Sequence, residues 1–538
     1  MDRMLLRRLT PYLLFILVLV IGIIAAPRIG PAWDEPDNIV SGGQYAKFFE
    51  STFDPSMLTR RDTGASIFEN IIFTQDPTIS HYPPVPNYVG TLFAVVGSRL
   101  GFGQSSSEII TSFHLASVVF FGVLVVTVYQ FGLLLGLSGW ASVGAALLTL
   151  LYPTMFGHGI SDLKDVAQVS LFTLSLYYLV RSVAGPDTRR NLIIGSVIWG
   201  LGLATKFNAV YVPIIWVIWM VINKATRKTF FKAQKAFLSL LLPLILVLAI
   251  GFLTTFLVWP YLWFDPIHRA IEVVHYFTTV GQGYQVFWDG SLYQVGVGRS
   301  LWWYPGANIL LATPIPLLVA ILVGMAGIVT HLVTRLKNGR TQVLLFLWII
   351  IPLARAALPS AAFYDGMRHF MEVIPAFMIL AMAGVEYFVG YVSKKFSISL
   401  LYCSLVLTLL LIGHLVFIDS TYFPYSAGYY NVFARDANTL YDRDIEALSV
   451  REAINYIHTV ESPVRVWVPV GGHLSWYYLS AADQYVYNSY DAQFIVLVNK
   501  SSHITRKDFE ATVGSTYRLV YTIARENAIF AWVYEKKP

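Results

Sequence analysis

Charge is scarce in this sequence. Asp, Glu, Lys and Arg make up 13% of its 538 residues, against roughly 25% in a soluble domain. That shortage excludes an ordinary cytosolic enzyme. With 56% hydrophobic residues and a mean hydropathy of +0.58, the chain reads as a polytopic membrane protein. Cysteine is nearly absent. Cys403 stands alone in an apolar run, so no intramolecular disulfide can form and the redox compartment is not legible. No His-x-x-x-His pair and no cysteine cluster is present, which removes the usual zinc signatures. Internal repeats, low-complexity tracts and nucleic-acid motifs are missing too. The net charge of +6 therefore reads as basic cytoplasmic loops, not as a nucleic-acid surface. No small-residue cleavage site precedes Trp33, so the first apolar stretch reads as an uncleaved signal-anchor.

What the chain does have is long apolar runs. Spans are expected at about 11–27, 109–134, 140–157, 165–180, 191–205, 207–222, 237–259, 307–332, 342–358, 369–392 and 397–417. Arg3, Arg7 and Arg8 hold the N-terminus in the cytoplasm. Basic loops follow at Arg181–Arg190, Lys224–Lys235, Arg335–Arg340 and Lys394–Lys395. All four face the cytoplasm only if the weakly apolar stretch 87–102 does not cross, so that stretch reads as an interfacial helix. This parity gives 11 spans, with the C-terminus outside. Residues 31–107 form the first outer loop, within the membrane module 1–417. Residues 418–538 lose the apolar runs, gain short alternating stretches such as Val464–Val468 and Phe494–Val498, and read as a small extracytoplasmic α/β domain.

Outer loops hold nearly all the unusual polar groups. Trp33-Asp34-Glu35-Pro36-Asp37 directly follows the first span. His158, Asp162, Lys164 and Asp165 lie between the third and fourth. Tyr364-Asp365-Gly366-Met367-Arg368-His369 precedes the tenth. A carboxylate near an interface can take a proton from an attacking hydroxyl when a neighbour or burial tunes it. Lys164, Arg368 and His369 are candidates for a lipid phosphate, with arginine giving a bidentate fork. A phosphate leaving group needs no proton. Acids and bases at one membrane face therefore suit transfer from a lipid phosphate to a hydroxyl. Each group also has a bland alternative: Asp34-Glu35 as a helix cap, Lys164 in an ion pair with Asp162 or Asp165, and Arg368 and His369 as interfacial anchors.

The order of these motifs resembles the GT-C type glycosyltransferases, in particular the group of protein O-mannosyltransferases and lipid A aminoarabinose transferases. The acidic pair after span one matches Asp34-Glu35. A His/Lys-Pro-Pro stretch matches His81-Tyr82-Pro83-Pro84. An aspartate after span three matches the stretch Gly157–Asp165, with Asp162 and Asp165 both eligible. Tyr364–Phe370 and Phe423–Asn431 are also similar to bacterial members. The resemblance implies a GT-C fold and inverting transfer from a polyprenyl-phosphate sugar. It implies Asp34 as general base, Glu35 as a residue positioning the acceptor, and Asp165 as the second acid of the site. His81, His158, Asp162 and Asp365 complete the candidates. The partners expected are the polyprenyl-phosphate sugar donor, membrane lipid, and a glycolipid, polysaccharide or protein acceptor. No protein metal site is assigned, and a carboxylate-bound divalent cation stays open. The competing reading is a transporter or flippase. That class places ionisable groups within spans and often repeats its halves; here Glu386 is among the few acids well inside a span.

Overall fold

The structure, a computed structural model, describes residues 3–58, 82–103, 105–184, 186–225, 233–334 and 340–538. His81 falls outside the described residues. Helices dominate up to Tyr422: α1 (Arg3–Ala25), α2 (Glu35–Glu50), α3 (Val85–Arg99), α4 (Ser106–Leu135), α5 (Gly139–Leu150), α6 (Pro153–Ser161), α7 (Leu163–Ala184), α8 (Thr188–Leu203), α9 (Tyr211–Ala225), α10 (Ala233–Val258), α11 (Pro266–Thr279), α12 (Tyr304–Ala312), α13 (Ile315–Thr334), α14 (Arg340–Ala354), α15 (Ile374–Phe396) and α16 (Leu400–Tyr422).

Each expected span falls on one or two of these helices. Among the described residues, six helical stretches are by themselves long and apolar enough to cross a bilayer: those of α1, α4, α7, α10, α15 and α16. The pair α5–α6 makes a seventh if taken as one span bent by 64°. Phe207–Asn223, Ile315–Val329 and Gln342–Ala357 are apolar but shorter. The stretch read as an interfacial helix is α3. At 15 residues it extends only about 22 Å, short of the ~30 Å hydrocarbon core.

Prolines set the breaks. Pro153 opens α6 and Pro314 separates α12 from α13, because proline cannot supply the N–H that would continue the helix. The second break leaves backbone carbonyls that need donors inside an apolar bundle. Asn431 supplies them. Its Nδ2 donates to the carbonyls of Leu310 (2.6 Å) and Thr313 (2.8 Å), and its backbone N–H to Leu311 at 2.8 Å. The stretch Phe423–Asn431 therefore does structural work at a broken helix.

Two short strands, β1 (Gln285–Trp288) and β2 (Ser291–Gln294), form a hairpin between α11 and α12. After α16 come the short α17 (Ala437–Leu440), α18 (Ser449–Val460) and a five-stranded sheet. Its strands are β3 (Arg465–Trp467), β4 (Gln484–Tyr485), β5 (Phe494–Val498), β6 (Tyr517–Arg525) and β7 (Ala528–Lys536), in the order β4-β3-β5-β7-β6. β3 pairs in parallel with β4 and β5; β7 runs antiparallel to β5 and β6. All five residues of β5 are buried, so it is a central strand covered on both faces. Asp444 turns its carboxylate onto the N–H groups of Leu448 (2.9 Å) and Ser449 (2.8 Å) and so starts α18 there.

The sheet does not hang free of the helices. Val496, Val498, Phe530 and Val533 share one buried cluster with residues of α4, α6 and α15. Phe530 stacks on Tyr425 at 4.4 Å. Arg451 of α18 donates to the carbonyls of Pro27 (2.8 Å) and Ile29 (3.0 Å), just beyond α1.

Candidate active site

The local sequence around Asp34 is a helix start. Pro36 sits where its fixed φ suits the first turn, and Glu35 and Asp37 favour the positive end of the helix dipole. Asp34 occupies the N-cap position, yet its side chain makes no capping bond. Its carboxylate turns instead toward two cations. Oδ2 accepts from Lys164 Nζ at 3.0 Å and from the guanidinium of Arg368. The bland reading of Asp34 as a cap therefore fails on geometry.

Arg368 is the hub. Its side chain is 3% exposed and faces five carboxylates: Asp34, Asp165 (2.7 Å), Asp365 (3.3 Å), Glu446 (3.4 Å) and Asp162 (3.5 Å). Three lysines serve the same group. Lys164 pairs with Asp34, Lys206 with Asp165 at 2.5 Å, and Lys500 with Asp365 at 3.0 Å. Four cations thus face five carboxylates, so one extra proton evens the cluster. Glu446 is the carboxyl placed to hold it, with the His158 imidazole 3.8 Å away as the neighbouring base that can share it. Burial pushes its pKa up against the pull of Arg368, and Asp162 adds to the push, to about 7. Because the folded pKa is raised, the stabilisation is complete below the ordinary value of 4.5 and fades as pH rises through about 7. Glu446→Gln keeps an acceptor for the Trp33 N–H (3.0 Å in the native chain). Thermal melting across pH 5–8 should accordingly fall by a few degrees in the wild type and stay flatter in the variant.

A cavity of about 1260 Å³ opens beside this cluster. Asp34, Asp37, Lys164, Asp365, Arg368 and His369 line it, together with Tyr82 and Pro83. The sheet region contributes Trp467 of β3, Pro469 and Val470 after it, and Lys500, Ser502, His503 and Ile504 beyond β5. Burial pushes the Asp34 pKa up, but Arg368 and Lys164 outweigh it and hold the carboxyl well below the usual carboxylate range. His369 packs its ring edge-on to Tyr364 at 4.5 Å.

Other expected residues lie behind the wall. Glu35 is buried away from the cavity, accepting from the Ala32 N–H at 3.1 Å and pairing with His114 at 3.0 Å. Burial raises its pKa, opposed by His114. Asp165 sits between Lys206 and Arg368, with Asp162 accepting its backbone N–H at 3.2 Å. Both aspartates therefore orient cations, while Asp34 meets the cavity directly. His158 lies 3.5 Å from Asp162 and 3.8 Å from Glu446. Donor atoms of these three lie within 4.8 Å of one another, a donor set of the kind that can hold a metal ion. Arg368 already lies 3.5 and 3.4 Å from the two carboxylates, so an ion there would meet a guanidinium as its neighbour.

Sequence reasoning missed five participants. Lys206 lies between α8 and α9, and Arg355 at the end of α14; both line the cavity. Lys206 separates two expected spans and Arg355 falls inside the expected span 342–358; an isolated cation within an apolar run is the signal that would have found them. Arg355 donates to Asn208 Oδ1 at 2.8 Å and to the carbonyl of His369. Both hydrogen-bond acceptors are neutral; the buried carboxylate that also feels this charge is Glu372, which accepts from Asn208 Nδ2 at 3.1 Å. Glu446, His473 and Lys500 come from the sheet region, and no local pattern marks them. They hold Trp33: Glu446 takes its N–H, His473 pairs with its carbonyl at 3.1 Å, and Lys500 lies 4.2 Å over its ring.

Residues 81–252 match the family model described as dolichyl-phosphate-mannose-protein mannosyltransferase. The structure resembles ArnT from Cupriavidus metallidurans bound to undecaprenyl phosphate, with a TM-score of 0.50 and 14% identity over 97% of each chain. It also matches the archaeal oligosaccharyltransferase AglB from Archaeoglobus fulgidus in complex with an inhibitory peptide and a dolichol-phosphate. There the TM-score is 0.45 and the identity 12%, over 97% of this chain and 74% of that one. The Saccharomyces cerevisiae protein O-mannosyltransferase Pmt1-Pmt2 complex bound to the sugar donor gives a TM-score of 0.34 at 12% identity, over 54% of this chain and 39% of that one. No curated protein matches the sequence significantly. The likeness to ArnT over the full length assigns the GT-C fold.

Proposed function

We propose that this GT-C-fold integral membrane protein is a glycosyltransferase that moves a sugar, with inversion, from a polyprenyl-phosphate donor to a hydroxyl of an envelope glycolipid, polysaccharide or protein at the extracytoplasmic face. The observation that carries the reading is Asp34, an uncapping N-cap carboxylate that meets a large cavity alongside Lys164, Arg368, Lys206 and Arg355. The cavity exceeds the ~300–1,000 Å³ usual for one small ligand, which suits two substrates.

In this reading the acceptor oxygen attacks the anomeric carbon from the face opposite the phosphate. The bond from that carbon to the phosphate oxygen breaks, and polyprenyl phosphate leaves as an anion needing no proton. The hydroxyl proton passes to Asp34. Lys206 and Arg355 receive the phosphate, since Arg355 lines the cavity with neutral hydrogen-bond acceptors and Lys206 adds a point charge. Lys164 and Arg368 are shared between Asp34 and the incoming phosphate. A phosphate that draws either cation away loosens its hold on Asp34 and makes that carboxylate a stronger base. Asp165 acts through the cations it orients, and Glu35 fixes the start of α2 through His114. The exposed apolar residues Ile267, Ile271 and Val274 of α11 offer the polyprenyl chain a path, because Tyr276 and Phe277 of the same helix line the cavity.

The test is release of polyprenyl phosphate by the purified protein in detergent from a panel of radiolabelled polyprenyl-phosphate sugars, with and without EDTA. Release by folded wild type supports the reading, and its loss with EDTA would add a metal. No release from any donor moves the protein to the transporter class. Within the same assay Lys206→Met should raise the donor KM by about 10–100-fold, the scale of one charged hydrogen bond. An unchanged KM would remove Lys206 from the phosphate site.

A further inference from the structure

We propose that the sheet domain supplies a carbohydrate-binding wall, in which Trp33, Trp467 and His503 hold a sugar ring of a glycan acceptor beside Asp34. This inference rests on the transferase reading for its place opposite the donor.

A chain of contacts orders the cavity from one end to the other. Lys206 touches Asp165 (2.5 Å), Asp165 touches Arg368 (2.7 Å), and Arg368 touches both Asp34 and Asp365 (3.3 Å for the latter). Asp365 touches Lys500 (3.0 Å), Lys500 lies 4.2 Å over Trp33, and Trp33 meets His503 edge-on at 5.3 Å. Up to Lys500 this sequence alternates in charge. Beyond it the lining is Trp33, Trp467, Pro469, Val470, His503 and Ile504, with no carboxylate, lysine or arginine among them. Burial, then Lys500, lowers the His503 pKa, so the imidazole is neutral at physiological pH. Lys500 itself is committed to the Ile445 carbonyl (2.8 Å), Asp365 and the Trp33 face. Its charge is thus already met by a carboxylate and an aromatic face.

The far wall is therefore neutral, aromatic and edged by hydroxyl and imidazole groups. That chemistry matches a sugar ring, which presents an apolar C–H face and a rim of hydroxyls. Trp467 is half-buried and backed by Phe509 at 6.3 Å, so its ring is held in place while it lines the cavity. His503 Nδ1 lies 3.5 Å from Ser502 Oγ, which leaves Nε2 for a hydroxyl. A peptide would need main-chain bonds from a sheet edge; neither outer strand of the five-stranded sheet, β4 or β6, lines the cavity, and β1 reaches it only through Gln285.

Saturation-transfer NMR on the purified protein in detergent tests the wall, with a panel of methyl α-glycosides of pyranose and furanose sugars beside a serine-containing hexapeptide. Ring protons of at least one methyl glycoside should be saturated by wild type. Trp467→Ala should cut that signal about fivefold, the scale of one aromatic contact, and Trp467→Phe should keep most of it. Melting temperatures near wild type establish that both variants fold. Equal saturation in Trp467→Ala, saturation of the peptide alone, or no saturation of any glycoside by folded wild type would overturn the proposal. Polyprenyl phosphate release by wild type separates the two readings: glycoside binding without release keeps the wall and removes the transferase, and release without glycoside binding does the reverse.

Discussion

Asp34→Asn should slow sugar transfer by about 10²–10⁴-fold, the range that a positioned general base contributes, while the protein still folds. The fold should survive because Arg368 keeps four other carboxylates when Asp34 is neutralised. Polyprenyl phosphate release by purified wild type and variant is the measurement; normal turnover by the variant would end the case for Asp34. The pH profile carries further information. Arg368 and Lys164 overcome burial and hold the free carboxyl well below the usual range, so it stays ionised far into acid but is a weak base. If donor phosphate competes for those cations, the acid limb of kcat should lie at higher pH than the acid limb of kcat/KM, since the first reports the substrate complex and the second the free enzyme. Coincident limbs would mean that the cations stay on Asp34 throughout.

Arg368→Met should destabilise the protein by about 3–5 kcal/mol, the cost of leaving buried charges without their partner. The cluster would go from four cations against five carboxylates to three against five, with Arg368 the only one of the cations that touches all five. Arg368→Lys should recover little, because one ammonium cannot reproduce a planar fork that meets several acceptors at once. Chemical denaturation in detergent, followed by tryptophan fluorescence, measures both. A midpoint unchanged in Arg368→Met would show that the carboxylates protonate or reach solvent without cost.

Much of this arrangement was legible from charge placed against apolar runs. Asp34, Lys164 and Arg368 stood out because charged residues at the ends of spans are few, and the structure brings the three into contact. Glu35 shows where adjacency misleads. On a helix, successive side chains diverge by about 100°, so Asp34 reaches the cavity while Glu35 turns inward to His114. Lys206 is hidden at the junction of the expected spans 191–205 and 207–222, and Arg355 inside the expected span 342–358. Glu446, His473 and Lys500 could not be read at all, since their link to Trp33 is made across more than 400 residues of sequence by packing alone. The bundle itself followed from hydrophobic runs, but its breaks at Pro153 and Pro314 did not, because an apolar run reads the same whether or not the helix bends within it.

The grip of the sheet region on Trp33 has a consequence for how the protein is made. The loop that carries Asp34 leaves the ribosome more than 400 residues ahead of Glu446, His473 and Lys500. Domains form in that order during translation. Until the sheet region arrives, Asp34 has its helix but lacks the neighbours that fix its approach to the cavity. A nascent or truncated protein already inserted in the bilayer would therefore carry an unfinished centre, and competence would come only once the sheet region has been made and has docked.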